Sequence, residues 1–277
     1  MRIPLLAALA TIVSCLAMPS LANEAARLKA AHDELRAKLA QNPFGRPLTI
    51  DSREAGSSLE GDVHAILEHP YTKVRDALSS PRDWCELLTL PFNVQKCEAR
   101  ENGVSVFIGR KPDTPIEDAT RLDLRFAVPT RSDDFLEVRL GAPQGPAGTR
   151  DYRMALSAAP LDAQRTFVRF RYGYTQGTLS NLALQAYLST SGADKVGFSS
   201  DGQDENGKPR LVGGVRGILE RNTMRYFLAI DAYLDTVAEP EASRKRARLE
   251  RWFRAVDRYP RQLREMTLER YLQIKLG

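Results

Sequence analysis

The sequence predicts an α+β fold in which a curved antiparallel sheet of about seven strands packs around one long helix near the C-terminus, with extra helices at both ends. Six segments between residues 93 and 174 alternate apolar and polar side chains, as strands with one buried face do. The connections between these segments are short and rich in Gly, Pro, Asn and Asp, which favours antiparallel neighbours. Residues 215–237 carry apolar side chains at the spacing of an amphipathic helix.

The N-terminal segment, residues 1–22, has the features of a secretory signal peptide. Arg2 precedes an apolar run, and Ser-Leu-Ala at 20–22 provides the small-x-small pattern of a signal peptidase site. We therefore expect cleavage after Ala22 and a periplasmic location. The alternative is a lipoprotein anchored through Cys15, although the residues after Cys15 remain apolar.

Cleavage would leave two cysteines, Cys85 and Cys97, twelve positions apart. An oxidising compartment permits a disulfide between them, and closing a loop of that size stabilises the fold by about 3 kcal/mol in the chain-entropy model. Two separate buried thiols are the alternative. No metal site is predicted, because His32, His64 and His69 form no ligand cluster with these cysteines.

The N-terminal third of the mature chain predicts a mixture of elements. Residues 24–40 are rich in Ala, Leu, Lys and Glu and predict a helix. Residues 48–54 and 59–68 predict two strands around a turn. Helical spacing returns over residues 70–90, where Ser80-Pro81 divides the segment into two short helices.

The segment from Thr120 to Val128 illustrates the strand pattern that follows. Its even positions are apolar, whereas Arg121 and Asp123 occupy odd positions, so the strand has one dry and one wet face. The same alternation recurs around residues 104–108, 136–140, 152–156 and 168–174, and more weakly in 93–99.

The dry face of such a sheet must be covered, and the predicted helix Val215–Val237 is long enough to cross it. Asn222 falls within the apolar stripe of this helix, where a buried amide without partners costs roughly 1–3 kcal/mol. Its partner is either the polar head of a ligand or a protein group, on a neighbouring strand or in the insert ahead of the helix. Glu220, on the same helix, is expected to be solvated or ion-paired. Between sheet and helix, we expect a shorter helix at Leu179–Leu188 and a hairpin around Gly202–Gly207.

The order of these elements over about residues 59–237 resembles the START-like, or Bet v 1-like (SRPBCC), helix-grip superfamily. In that superfamily a curved sheet grips a C-terminal helix around an elongated apolar cavity, and members mostly bind lipids, sterols or other apolar molecules. The resemblance implies a helix-grip domain at 59–240, preceded by a helix and strand at 23–58 and followed by a basic helical extension at 241–277.

The resemblance implies a ligand between the dry face of the sheet and the long helix, where an aromatic series lies. If sheet and helix are in contact, the same side chains form an ordinary core. The predicted ligand-binding residues are Leu122, Leu124, Phe126, Val138, Tyr152, Met154, Phe170, Tyr172, Tyr174, Asn222, Tyr226 and Tyr233.

No nucleophile elbow, zinc-protease motif, phosphate loop or dinucleotide fingerprint is present, so no catalytic residue and no cofactor are predicted. His64 is more typical of a structural histidine than of a general base. The leading hypothesis is binding or transport of an apolar or amphipathic small molecule, a lipid. An enzyme of cyclase or hydrolase type using the same cavity is the alternative, for which Asn222, Tyr172 and His64 are the candidate groups.

The C-terminal segment from Ser243 to Gly277 holds eleven basic and four acidic residues, a net charge of +7. An apolar stripe lies among these arginines, which is typical of a helix on an anionic membrane. Equally, the stripe packs on the domain and leaves the arginines in water. A third hypothesis is an envelope adaptor that uses this segment, and nucleic acid is not an expected partner of an exported chain. The predicted membrane-surface residues are Arg248, Arg251, Trp252 and Phe253.

Overall fold

The computed structural model describes residues 21–177 and 195–277, and its main feature is one antiparallel sheet of eight strands. The strands are β1 Leu48–Ala55, β2 Ser58–Leu67, β3 Val94–Arg100, β4 Gly103–Ile108, β5 Thr120–Arg131, β6 Leu136–Gln144, β7 Arg150–Pro160, β8 Thr166–Thr175, β9 Ser200–Gln203 and β10 Pro209–Leu211. The order in the main sheet is β1-β2-β8-β7-β6-β5-β4-β3, so β8 pairs with β2 and the other strands follow as a meander. A separate hairpin, β9 and β10, confirms the turn expected around Gly202–Gly207.

Seven helices surround the sheet in the described part of the chain. The helices are α1 Leu21–Ala40, α2 Tyr71–Ala77, α3 Pro81–Leu88, α4 Gly214–Thr236, α5 Glu241–Asp257, α6 Pro260–Leu263 and α7 Leu268–Leu276. The predicted helix at 24–40 is α1. The helical region 70–90 divides at Ser80, whose side chain caps α3 by accepting a hydrogen bond from Asp83 N at 3.2 Å. The helix expected at Leu179–Leu188 lies outside the described residues.

The long helix α4 packs directly on the inner face of β1, β2 and β8. The closest approach is at Gly61 of β2, where a Cβ atom on the backbone would lie only 2.4 Å from Thr223 Oγ1 of the helix. The apolar positions of every main strand face the same side as Gly61 and join one core. The strand order and the gripped helix confirm the helix-grip α+β fold, with β1 added as an edge strand.

The outer face of the sheet is covered at one end only. Helix α1 packs there on β1, β7 and β8, and a small apolar cluster joins its Leu28 to Ile66 and Phe167. The N-terminal helix thus closes the outer face over the ends of these strands. Farther along β3–β8, this face carries polar and charged side chains around a wide cavity.

The disulfide between Cys85 and Cys97 is formed, which confirms that prediction. It joins α3 to β3 with a Cα–Cα distance of 5.3 Å. The bond therefore fixes one of the two short helices to the edge strand of the sheet.

The C-terminal helices pack into the main core and are not a separate extension. Trp252 of α5 and Tyr271 of α7 are fully buried, and the Trp252 indole donates a hydrogen bond to Arg225 O at 3.1 Å. Because Trp252 and Phe253 are buried, the prediction that they rest on a membrane surface is wrong for this fold, and the alternative of packing on the domain holds.

Arg248 is also buried and is therefore not a membrane-surface residue. It donates to Thr236 Oγ1 at 3.0 Å, forms an ion pair with Glu86 and lies 4.3 Å from the ring centre of Tyr233. Arg251 is exposed, and its guanidinium pairs with Asp235. Of the four predicted residues, Arg251 alone reaches the surface with its charged group.

Candidate ligand-binding site

The predicted ligand-binding residues lie between the inner face of β5–β8 and α4. Strand register brings Met154 beside Tyr172, and Tyr172 beside Gly61, directly under the helix. Residues Leu122, Leu124, Val138, Met154 and Phe170 are buried within the core, whereas Phe126 and Tyr152 are half-buried at its edge. The strands thus supply an apolar floor that becomes more open towards the aromatic end.

Four tyrosines at that end, Tyr152, Tyr172, Tyr174 and Tyr226, form a continuous network that we call the tyrosine cluster. The rings of Tyr152 and Tyr174 stack with centroids 5.4 Å apart, and Tyr172 lies 5.9 Å from Tyr174. Tyr226 of α4 reaches Tyr172 of β8 with centroids 5.2 Å apart. The cluster therefore joins β7 and β8 to the long helix.

Two hydroxyls of the tyrosine cluster have no hydrogen-bond partner among the described residues. Tyr152 accepts a hydrogen bond from Thr149 Oγ1 at 3.1 Å, but the hydroxyls of Tyr174 and Tyr226 make none within that part of the chain. Burial raises the pKa of each cluster phenol, most strongly that of Tyr172. The phenols therefore remain neutral donors near neutral pH.

Asn222 and Tyr233 already have protein partners. The half-buried Asn222 accepts a hydrogen bond from Arg225 at 3.3 Å. Tyr233 donates to Asp83 Oδ1 at 2.6 Å and so connects α4 to α3. Asn222 and Tyr233 thus bond within the protein. Among the predicted ligand-binding residues, the hydroxyls of Tyr174 and Tyr226 are the polar groups without a partner in the described part of the chain.

Three cavities stand out among the described residues, and each opens away from the layer between sheet and α4. The largest, about 1320 Å³, lies on the outer face of β3–β8. One of about 410 Å³ lies beside α1 and His64, and one of about 580 Å³ lies between α3, β3, α5 and α7. None of these three cavities lies between the inner face of the sheet and α4.

Glu220 is a buried group, and the expectation that it is solvated or ion-paired is wrong. Its carboxylate accepts hydrogen bonds from Ser52 Oγ at 2.6 Å, Phe198 N at 2.6 Å and Ser199 N at 2.9 Å. Neutral donors thus satisfy it and tie α4 to β1 and to the segment before β9. No local pattern could reveal this, because the donors come from distant parts of the chain.

The histidines lie away from the tyrosine cluster. His64 is on the outer face of β2, opposite the proposed ligand layer, and His69 Nε2 lies 3.1 Å from Asp235 Oδ1 at the surface of α4. Within residues 21–177 and 195–277, no three His, Cys, Asp or Glu side chains are grouped to hold a metal ion. In the same two ranges, no helix has the length and apolar character of a membrane span.

No protein-family model matches the chain, and no curated protein is similar to it in sequence. Among solved structures, human StAR-related lipid transfer protein 5 matches 61% of this chain and 90% of its own, with 13% identity and a TM-score of 0.31. A START superfamily protein from Mycobacterium smegmatis matches 48% of this chain and 91% of its own, at 9% identity and a TM-score of 0.31.

A norcoclaurine synthase from Thalictrum matches 52% of this chain and 86% of its own, at 11% identity and a TM-score of 0.33. At such low similarity, the fold class rests on the strand order and the gripped helix of the chain itself. Those features define a START-like, SRPBCC-type helix-grip fold. Ligand and activity depend on the particular residues that this chain places on that fold.

Proposed function

We propose that this protein binds an apolar or amphipathic small molecule, a lipid, between the inner face of the sheet and α4, and that it does so as an exported, periplasmic protein. The observation that carries the proposal is the pair of hydroxyls, on Tyr174 and Tyr226, without hydrogen-bond partners among the described residues. Both belong to rings at the junction of β8 and α4.

Neither hydroxyl is among the fully buried side-chain atoms without a partner in the described residues, so water can reach both. An acceptor oxygen of a ligand would replace that water at this point. Side chains such as Met154 and Phe170 next to the cluster would contact the apolar body of the same molecule. Because the phenols stay protonated, they suit a ligand with a carbonyl, hydroxyl or carboxylate oxygen at one end.

Binding would require the tyrosine cluster to open. Gly61 and Thr223 hold α4 against β2, which leaves little freedom at that contact. Tyr152 and Tyr226 are half-buried and lie at the margin of the core, where side-chain movement displaces few neighbours. The guest is therefore expected to enter from the tyrosine end of the sheet.

Purified protein should release a bound lipid on organic extraction, identifiable by mass spectrometry. In a titration with pyrene-labelled fatty acid, the Tyr174→Phe/Tyr226→Phe variant should bind about tenfold more weakly, as expected for the loss of roughly 1.4 kcal/mol of hydrogen bonding. Tyr271→Phe is the matched control, because its buried hydroxyl already donates to Leu90 O at 2.7 Å. Absence of any extracted lipid, together with unchanged titrations in the double variant, would exclude this site.

Export is supported by the Cys85–Cys97 disulfide, because such bonds persist in oxidising compartments. Fractionation of cells expressing the full chain should recover an oxidised protein in the periplasm, beginning at Asn23. A variant lacking residues 2–20 should remain inside the cell with free thiols. Equal distribution of the two proteins would contradict export through this segment.

A further inference from the structure

The outer face of β3–β8 carries arginines in two rows that run across the strands. In the first row, strand register alternates arginine with glycine: Arg100, Gly103, Arg125, Gly141, Arg153 and Gly173 are successive cross-strand neighbours. In the second row, Ala127, Arg139, Ala155 and Arg171 alternate in the same way. These residues line the cavity of about 1320 Å³, which we call the outer groove.

The glycines and alanines leave a shallow floor between the arginine side chains. Adjacent strands are about 4.8 Å apart, so arginines on alternate strands repeat at about 9.6 Å. Arg100, Arg125 and Arg153 thus span about 19 Å of the groove. The arrangement is a regular line of arginines separated by glycines, of which Gly103 and Gly173 are buried and Gly141 is half-buried.

Two of these arginines have guanidinium charges that no acidic side chain of the described residues neutralises. Arg125 and Arg153 form no ion pair among the described residues, and Arg153 makes only a hydrogen bond to Ser58 Oγ at 3.3 Å. Arg100 lies 3.9 Å from Glu98, a loose contact. By contrast, Arg139 is paired with Glu137 at 2.8 Å.

Acidic residues lie on both sides of the first row and at its ends. Asp123 and Asp151 flank it on one side, and Glu137 follows the second row on the other. Glu60 continues the first row beyond Gly173, and Glu101 follows Arg100. A broad anionic surface, such as a membrane, would be repelled by these carboxylates. A narrow anionic chain laid along the first row between Arg100 and Arg153 would meet the guanidinium groups and avoid the acids that flank the row.

The floor also determines the conformation of such a chain. The backbone groups of β4–β8 pair with strands on both sides, so a peptide cannot add to them as another strand. A polyproline II segment needs no backbone partner, and its three-residue turn of about 9.3 Å nearly equals the arginine repeat. Every third side chain would therefore reach the next arginine, where a carboxylate accepts bidentate hydrogen bonds.

We propose that the outer groove binds an extended acidic polypeptide segment of another protein, with a carboxylate at every third residue contacting Arg100, Arg125 and Arg153. This site lies on the opposite face of the sheet from Tyr172 and Tyr226, with Tyr152 at its border, and does not depend on lipid binding. The partner therefore docks on the sheet while the inner face remains free.

Fluorescence anisotropy with the full protein and a labelled peptide of four Glu-Pro-Pro repeats tests the proposal. Binding should saturate, weaken at higher salt, and fall at least tenfold in Arg125→Gln/Arg153→Gln. The matched control, Arg36→Gln/Arg165→Gln, removes the same charge from exposed arginines that pair with Asp33 and Asp162, and should bind as wild type does. Circular dichroism melting checks that both variants are folded.

A second peptide with the same composition but four contiguous glutamates separates spacing from charge. It should bind several-fold more weakly than the repeat peptide. Equal binding of the two peptides, or equal binding by the two double variants, would overturn the proposal. So would a groove that ignores the peptides but binds polygalacturonate or anionic phosphatidylglycerol vesicles through Arg125 and Arg153.

Discussion

At the scale of single residues, His64 is the titratable side chain with the clearest consequence for stability. It lies on the outer face of β2 beside α1, with its ring stacked on Phe167 at a centroid distance of 6.1 Å. Burial, followed by the nearby positive charge of Arg169, lowers the pKa of His64 to about 4 from its usual 6.5. The folded protein thus holds this imidazole neutral where the unfolded chain would protonate it.

We expect stability to fall as the pH decreases from 6.5 to about 4, because only the unfolded state gains a proton at His64 in that range. The free energy of unfolding decreases by roughly 3 kcal/mol once the pH is below about 4, and His64 causes no decrease well above pH 6.5. Urea unfolding of wild type and His64→Gln at pH 7, 5.5 and 4.5 should show a shallower decline for the variant. His32→Gln is the control, and an identical decline in all three proteins would contradict this assignment.

Residue-level predictions from the sequence were right where a local period decides the outcome. Leu122 and Leu124 face the core and Arg121 faces solvent, as the alternation indicates. The prediction for Glu220 is wrong because its partners, Ser52 and the segment at 198–199, are more than twenty positions away in the sequence. The periodicity of the helix gives no information about such distant partners. A hydroxyl without a partner among the described residues, such as that of Tyr226, becomes visible only when neighbours in space are known.

At the scale of elements, the contact between α4 and β2 depends on the absence of a side chain at Gly61. Thr223 occupies that space, and its hydroxyl donates to Leu219 O at 2.8 Å within the helix. A strand residue with a Cβ would force the helix away from the sheet. Glycine at this position therefore determines how closely the sheet grips the helix.

Gly61→Ala should destabilise the protein by about 1–3 kcal/mol through overpacking against Thr223. Adding Thr223→Ala should recover part of that loss, because it removes the hydroxyl that the new methyl group would meet. Denaturant titrations of both single variants and the double variant form a double-mutant cycle with Thr223→Ala as its own control. Strictly additive effects would mean that the two residues do not meet in the folded protein.

The sequence predicts which segments form helices and strands, but not every strand or helix that each segment packs against. Periodicity located the strands and placed the long helix at 215–237, close to the observed Gly214–Thr236. Pairing of β2 with β8, across about a hundred residues, is not among the predictions, because no local pattern shows it. The docking of α1 on the outer face was not foreseen, because a helix pattern does not show which side of a sheet it covers.

At the scale of the whole molecule, the C-terminal helices complete the core that the sheet and α4 begin. Phe92, between α3 and β3, contacts Trp252 and Tyr271 with ring centroids 4.9 Å and 5.4 Å away. Tyr271 also donates to Leu90 O at 2.7 Å. The basic residues of this segment therefore surround apolar side chains, among them Trp252 and Tyr271, that are buried in the core of the domain.

Deletion of residues 241–277 should consequently prevent cooperative folding, because it uncovers Phe92, Leu90 and the buried side of α4 to water. Loss of one large aromatic side chain from a core already costs about 3–5 kcal/mol, which is a large part of the stability of a typical domain. Thermal melting by circular dichroism and size-exclusion chromatography would show a broad transition and aggregation. Lys245→Gln/Arg246→Gln, which removes exposed charge and leaves Trp252 in place, should melt cooperatively like wild type. A truncated protein with a sharp transition would instead show that the segment is not needed for folding. The hypothesis that this segment binds another protein would then be favoured.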